Sequence, residues 1–396
     1  MDGRELPRPP RRIPAGAGTL TQLQTSTPRA PEPAPRQPWI FGRFLAGFLV
    51  VLLIVAGGAT AGWWIRSQSL RIDTDRVLES VGHGVVRVLA TTCEGSGEAS
   101  GVLTTDGTII TAASAVKQPL SIVIVTPDGR IRRANLLGSS ADGVAVLRMI
   151  GRLDDAPVPL ATTDPDPKAE RALIGYTAAG KQTVNSVGTT EQPKPLSTVM
   201  NAAKLGGPVV DKAGQMVGIV VGDTVPASTI VGADRLRGYV VPNATGITPE
   251  PGGTCDRSRG PQAGIVPELQ VANTALAVEA QKLLGTYMTL ENRHDFEGIQ
   301  ALYSQRLAKT LTVDRDRNSH QTSYLFGGKL TEVTRYGVDG ANARITFIAL
   351  FSPNANRADG QTCNRLDLRY RLIRQGGKLV IDQAATMVPA QPCDND

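Results

Sequence analysis

The chain has 396 residues, a formal net charge of +6 and only 4% aromatic residues. That length suits two domains of ordinary size. The modest positive balance sits partly in arginines of the first 43 residues, and without a basic stripe or stacking aromatics it argues against nucleic-acid binding. Four cysteines lie beyond the one long apolar run, none spaced as Cys-x-x-Cys. They point to disulfides in an oxidising compartment rather than to a metal site, and they allow three pairings.

Residues 1–43 are rich in Pro, Arg, Thr and Ala without apolar periodicity, and read as a disordered cytoplasmic arm. Phe44 to Ile65 is a run of 22 residues without a charge, long enough to cross the hydrocarbon core as a helix. Trp39 on one side and Trp63 with Trp64 on the other suit interfacial anchors. The preceding arginines place the amino terminus inside and the remainder outside. Ala59-Thr60-Ala61 has the look of a signal-peptidase site, but the apolar run and its leading arm are too long for a usual signal peptide. The expectation is a single-pass, uncleaved anchor in the cytoplasmic membrane, then a juxtamembrane linker over 66–76.

From residue 77 the texture is that of short strands. Val85–Val88, Gly97-x-x-Ser-Gly-Val-Leu-Thr104, Thr108–Thr111, a hairpin over 120–137 and Ala141-Asp-Gly-Val-Ala-Val-Leu-Arg148 follow one another. Turn residues such as Asp106-Gly107 and Pro127-Asp-Gly129 separate them, with no helical period between. This pattern predicts an all-β barrel. Further on come Arg171-Ala-Leu-Ile-Gly175, Asn201-Ala-Ala-Lys-Leu-Gly-Gly-Pro-Val-Val210, Gln215–Val221 and Gly238-Tyr-Val-Val-Pro242.

The Gly-Gly-Pro segment resembles the nucleophile region of trypsin-like and HtrA-like serine proteases, and residues 77–245 as a whole resemble that domain, implying a double barrel. In that family the residue before Gly-Gly-Pro is the catalytic serine; here it is Leu205. The strand ending Thr111-Ala-Ala-Ser-Ala-Val116 resembles the family's Thr-x-Ala-His-Val-Val, with Ser114 at the histidine. The orienting aspartate falls at Gly143, beside Asp142. Ala203, Lys204, Gly206 and Gly207 would be the remnant of the oxyanion loop. Leucine offers no lone pair to a carbonyl, and a hydroxyl is no general base near neutral pH. The resemblance therefore implies a pseudoprotease with no catalytic residue. His83 precedes the first strand, and His294 and His320 lie in the next domain, so none supplies a base.

The match is to membrane-anchored actinobacterial members of that family. In some of these a cysteine near the first strands is bridged to one just beyond the domain, an arrangement that Cys93 and Cys255 match. The favoured pairing is Cys93–Cys255 with Cys363–Cys393, one bridge per domain.

A Pro/Gly-rich connector over 246–267 precedes a different texture. Leu269–Met288 carries apolar residues near helical spacing, and residues 295–303 read as a second helix with Asp295 as N-cap. Four strands follow: Leu330–Tyr336, Asn342–Ala349, Arg365–Ile373 and Lys378–Ala384. Helices leading into a curved antiparallel sheet over 268–396 resemble the nuclear transport factor 2-like fold, an α+β cone that implies a pocket. Adjacent His294 and Asp295 resemble the Asp/His pairs of enzymes in that family, although at a helix start such residues cap and face solvent. The reading is thus a dead protease barrel outside the membrane that binds an envelope protein or peptide, with a possible dimer and no metal or cofactor. The competing reading is a hydrolase with a relocated site, or an enzyme or ligand-binding module in the cone.

Overall fold

The computed structural model describes residues 70–394, apart from 242, 243, 263 and 357, together with scattered positions between 48 and 68. The expected arm and most of the expected span at 44–65 lie outside the described residues. Among those described, no helix is long and apolar enough to cross a membrane.

Helix α1 (Thr74–Val81) starts where the Asp73 carboxylate accepts from the Arg76 amide, and it buries Val77 and Val81 against the strands that follow. Those strands are β1 (Val85–Thr92), β2 (Glu98–Leu103), β3 (Thr108–Ala112), β4 (Pro119–Val125), β5 (Ile131–Ser140) and β6 (Val144–Met149). They pair in the order β5-β4-β1-β2-β3-β6, and β5 also pairs with β6. The sheet therefore closes on itself as a six-stranded barrel with no free edge. Its apolar residues fill the interior: Val86, Val88, Ile109, Ile122, Ile124 and Leu147 are buried in one cluster.

The second half is β7 (Arg171–Tyr176), β8 (Gln182–Gly188), β9 (Pro208–Val210), β10 (Met216–Val221) and β11 (Thr229–Gly232), followed by the short α2 (Ala233–Leu236). Its order is β11-β10-β9-β7-β8. Among the described residues these five strands show no closing ladder, and Leu160 bridges to Met216 of β10 beside them.

The connector does not hang free. A short β12 (Ile247–Thr248) pairs with Ser139 and Ser140 of β5, and the Gly253 amide donates to the Pro119 carbonyl at 2.9 Å. Cys255 is bridged to Cys93, and Arg259 pairs with Thr92 at the end of β1.

The carboxy-terminal lobe holds β13 (Glu268–Leu269), α3 (Ala275–Asn292), α4 (Phe296–Gln300), α5 (Gln305–Thr310), α6 (Val313–His320) and four long strands. These are β14 (Tyr324–Tyr336), β15 (Gly340–Leu350), β16 (Cys363–Gln375) and β17 (Lys378–Pro392), in sequential antiparallel order with β13 added in parallel to β14. Leu284 and Met288 of α3 pack with Phe296, Ile345, Phe347 and Leu372 between helices and sheet.

A separate apolar cluster joins the lobes. Leu89, Val123 and Ile131 of the barrel meet Tyr324, Phe326, Ile348 and the bridged Cys363 and Cys393. The Tyr324 hydroxyl donates to the Ser258 carbonyl at 2.7 Å, and Arg133 pairs with Asp394 at 2.9 Å.

Candidate functional site

The end of β3 and the start of β6 run side by side, with Ala112 opposite Val144 and the Ala113 amide donating to the Gly143 carbonyl at 2.8 Å. That register sets Ser114, in a 3-10 turn after β3, beside Gly143, which takes φ +81°, a region only glycine enters without strain. The Ser114 hydroxyl donates to the Gly222 carbonyl at 2.7 Å. Asp142 does not lean toward it: its carboxylate takes Arg235 Nη1 at 2.5 Å and the Tyr239 hydroxyl at 3.0 Å. Ser114, Asp142, Gly143, Val221, Gly222 and Thr229 line one cleft of about 550 Å³.

Leu205 does not line that cleft. It is 2% exposed and packs with Ala112, Leu173, Val209 and Val220. Ala112, in the same cluster, is the last residue of β3, two before Ser114. Of the three positions read as the triad, Ser114 and Gly143 share the cleft, and Leu205 lies in the apolar cluster that includes Ala112. Ser100, a buried hydroxyl, donates to the Ala203 carbonyl at 2.7 Å and accepts from the Tyr176 amide at 3.0 Å.

An oxyanion hole works by aiming free backbone N–H groups at developing negative charge. Here residues Ala202–Lys204 form a 3-10 turn in which the Leu205 amide donates to the Ala202 carbonyl at 3.2 Å. The Gly206 amide is likewise committed, to the Val220 carbonyl at 2.6 Å. Lys204 is buried, with Nζ donating to Asn185 Oδ1 at 2.6 Å and to the Val199 carbonyl at 2.7 Å. Burial holds its pKa below the usual lysine value. Its ammonium ties β8 to the loop before the 3-10 turn, which fixes that turn in the collapsed form.

The histidines are dispersed. His83 is exposed in the turn before β1. His294 takes φ +53°, stacks near Phe296 and Tyr324, and places Nε2 3.2 Å from the Ser323 carbonyl. Asp295 caps α4, accepting from the Gly298 amide at 2.8 Å. Neither lines the cavity of the carboxy-terminal lobe.

That cavity, about 500 Å³ between α3, α6 and the sheet, is lined by Glu291 and His320 together with apolar groups such as Leu325, Phe347, Leu366 and Leu368. His320 Nδ1 lies 2.9 Å from Asp316 Oδ1 and 3.6 Å from Glu291 Oε1, while the Tyr303 hydroxyl donates to Asp316 Oδ2 at 2.8 Å. Burial pushes Glu291 up to about 7, only partly offset by the imidazole. Burial pulls His320 down, but the two carboxylates outweigh it and hold it up at about 9. One donor atom from each of the three residues lies within 4.8 Å of the others. Such spacing suits a cation, yet both Asp316 oxygens already accept hydrogen bonds. Sequence reasoning set His320 aside and passed over Glu291 and Asp316. The signal was Asp316 and His320 four apart, one helical turn, behind Thr312 as N-cap.

Residues 99–219 match the family model described as a trypsin-like peptidase domain. With the closed barrel, that match defines the first lobe as a trypsin-like domain. No curated protein sequence matches the chain. Among solved structures, the serine endoprotease from Yersinia pestis is 23% identical, covering 42% of this chain and 64% of that one, with a TM-score of 0.36. A protease from M. tuberculosis in its active form is 19% identical, covering 45% of this chain and 88% of that one, at 0.38. An HtrA-type protease with a tripeptide is 20% identical, covering 44% and 65%, at 0.37. The chain thus spans less than two thirds of the Yersinia enzyme.

Proposed function

We propose that the trypsin-like domain is catalytically inactive and serves as a peptide- or protein-binding scaffold of the cell envelope, tethered outside the cytoplasmic membrane. The observation that supports this reading is that Leu205, the residue before Gly206-Gly207-Pro208, is buried in an apolar cluster with Ala112, while its amide donates to the Ala202 carbonyl. Nucleophile, base and orienting acid are all absent from the three triad positions, and the Leu205 amide is occupied. Removing the triad of a serine protease leaves about 10³–10⁴-fold over water, mostly from the oxyanion hole and binding. A filled hole takes away even that remainder.

Binding needs none of these groups. β11 forms an edge of the second sheet, and Thr229 at its start borders the Ser114 cleft. An extended peptide can add to such an edge by main-chain hydrogen bonds. The two disulfides favour an oxidising compartment, and the uncharged run at 44–65 favours the anchor. Additional support for the cone-like reading of the second lobe comes from its order of helices and long strands.

The test uses the full chain in detergent: intact mass after fluorophosphonate treatment, beside turnover of unfolded casein. The expected result is neither adduct nor cleavage. A stoichiometric adduct on any serine would establish a relocated hydrolase site and remove the scaffold reading.

A further inference from the structure

The cavity of the carboxy-terminal lobe has the size of a small-molecule site, since such pockets run from roughly 300 to 1,000 Å³. Its interior is divided by chemistry. Apolar walls come from Leu325, Phe347, Phe351 and Leu366, and one end carries Glu291 and His320. Within this end, Glu291 is 1% exposed and its two oxygens differ. Oε1 faces the His320 ring at 3.6 Å, whereas Oε2 is buried without any hydrogen-bond partner. An orphaned buried carboxylate oxygen costs stability that a fold seldom gives up without return. The donors that face it are committed elsewhere: His320 and the Tyr303 hydroxyl bind Asp316, and the Tyr287 and Tyr370 hydroxyls engage each other.

We infer that this cavity binds a small, largely apolar organic molecule whose single polar end carries a hydrogen-bond donor, a hydroxyl or an amine, received by Glu291 Oε2. The carboxylate selects for a donor and against a carboxylic acid, whose own charge would meet Glu291 in a dry site. His320, locked by Asp316 through Nδ1 and 38% exposed on its side chain, orients Glu291 from the other side. It is a positioning residue. The site is separate from the Ser114 cleft, so the inference stands whether or not the trypsin-like domain is inactive.

A larger cavity of about 660 Å³ between the lobes offers a contrast. Its carboxylate, Asp367, is already paired with Arg344 through both oxygens. That space therefore sets no comparable demand on an occupant.

The experiment titrates the full chain with 1-aminoanthracene, which fluoresces in apolar surroundings and carries an amine donor, and with 1-methylanthracene, which lacks one. Three proteins are compared at mildly alkaline pH: the parent, Glu291→Gln, and Ala355→Trp, which adds bulk at the cavity lining. The parent is expected to bind the amine saturably at one per chain and more tightly than the methyl compound. Glu291→Gln should weaken the amine by about tenfold, as losing a hydrogen bond to a charged group does, and leave the methyl compound unchanged. Ala355→Trp should abolish both. Comparing two ligands on one folded protein removes the question of whether a variant is merely less stable. No saturable signal in the parent, equal affinity for the two ligands, or amine binding indifferent to both substitutions would each overturn the inference.

Discussion

The Leu205 amide donates to the carbonyl of Ala202 at 3.2 Å. That bond closes a 3-10 turn at the place where a trypsin-like protease would present its oxyanion donors. It follows that restoring a hydroxyl alone will not restore chemistry. Leu205→Ser is expected to give no fluorophosphonate adduct and no casein turnover. Adding Ser114→His should raise labelling only marginally, because Gly143 sits at φ +81° and an aspartate there would be strained by about 1–2 kcal/mol. Intact mass spectrometry reads the result. Full labelling of the single variant would show that the loop reopens freely.

Cys93 and Cys255 are 162 residues apart in sequence, and the bridge clamps the connector onto the barrel. Replacing both by serine should destabilise the fold by about 2–5 kcal/mol. The urea midpoint under oxidising conditions measures this. An unchanged midpoint would mean that the pairing of β12 and Arg259 suffices to hold the connector.

A side chain on Gly260 would meet the Tyr324 ring, since a Cβ built there lies 2.6 Å from three ring carbons. Gly260→Ala is therefore expected to cost about 1–3 kcal/mol through overpacking between the lobes. Tyr324→Phe removes only the bond to Ser258 and should cost roughly 1 kcal/mol. Denaturation of both variants, with limited proteolysis around 254–262, distinguishes a strained joint from an indifferent one.

The buried carboxylate predicts a pH signature. Glu291 is raised from 4.5 to about 7 in the folded chain, so between those values the native state holds a proton that the unfolded state has released. Stability falls as pH rises through that window. His320 is raised from 6.5 to about 9; its contribution is complete below 6.5 and is lost as pH climbs through 9. The groups facing the pair are Asp316, Tyr287, Tyr303 and Tyr370, and burial raises all three tyrosines well above their ordinary range. Glu291→Gln should flatten the melting-temperature profile between about 4.5 and 7 and also move the decline toward pH 9 to lower pH, because Glu291 is one of the two carboxylates that hold His320 up. A profile identical to the parent's would place the acid outside the linkage.

Much of the first lobe was legible because its spacing is rigid: the strands expected at Val85–Val88, Thr108–Thr111 and Arg171–Gly175 fall within β1, β3 and β7. Elements beyond those landmarks were less legible. Gly327-Gly328 reads as a break, so β14 was expected from Leu330; the chain instead absorbs the pair as a bulge, with Gly327 at φ +63°, and the strand begins at Tyr324. β17 runs to Pro392 despite Pro389 because it is an edge strand whose outer side needs no amide. The helix expected from Leu269 begins only at Ala275, after Glu268 and Leu269 have paired in parallel with Lys329 and Leu330. α5 and α6 were missed because their residues are mostly polar, although Ser304 and Thr312 cap them as sequence rules allow. Of the cavity's acid end only the Asp316–His320 spacing was legible, since Glu291 meets His320 through packing of α3 on α6.

The clamp between Cys93 and Cys255 has a topological result. Suppose a protease nicks the chain between Val241 and Thr254, after the last strand of the trypsin-like domain. Cys255 lies downstream of any such nick and is bonded to Cys93 upstream of it. The two pieces then remain one covalent molecule, and the nick shows on a gel only after reduction. Damage to the joint is thereby separated from loss of the carboxy-terminal lobe.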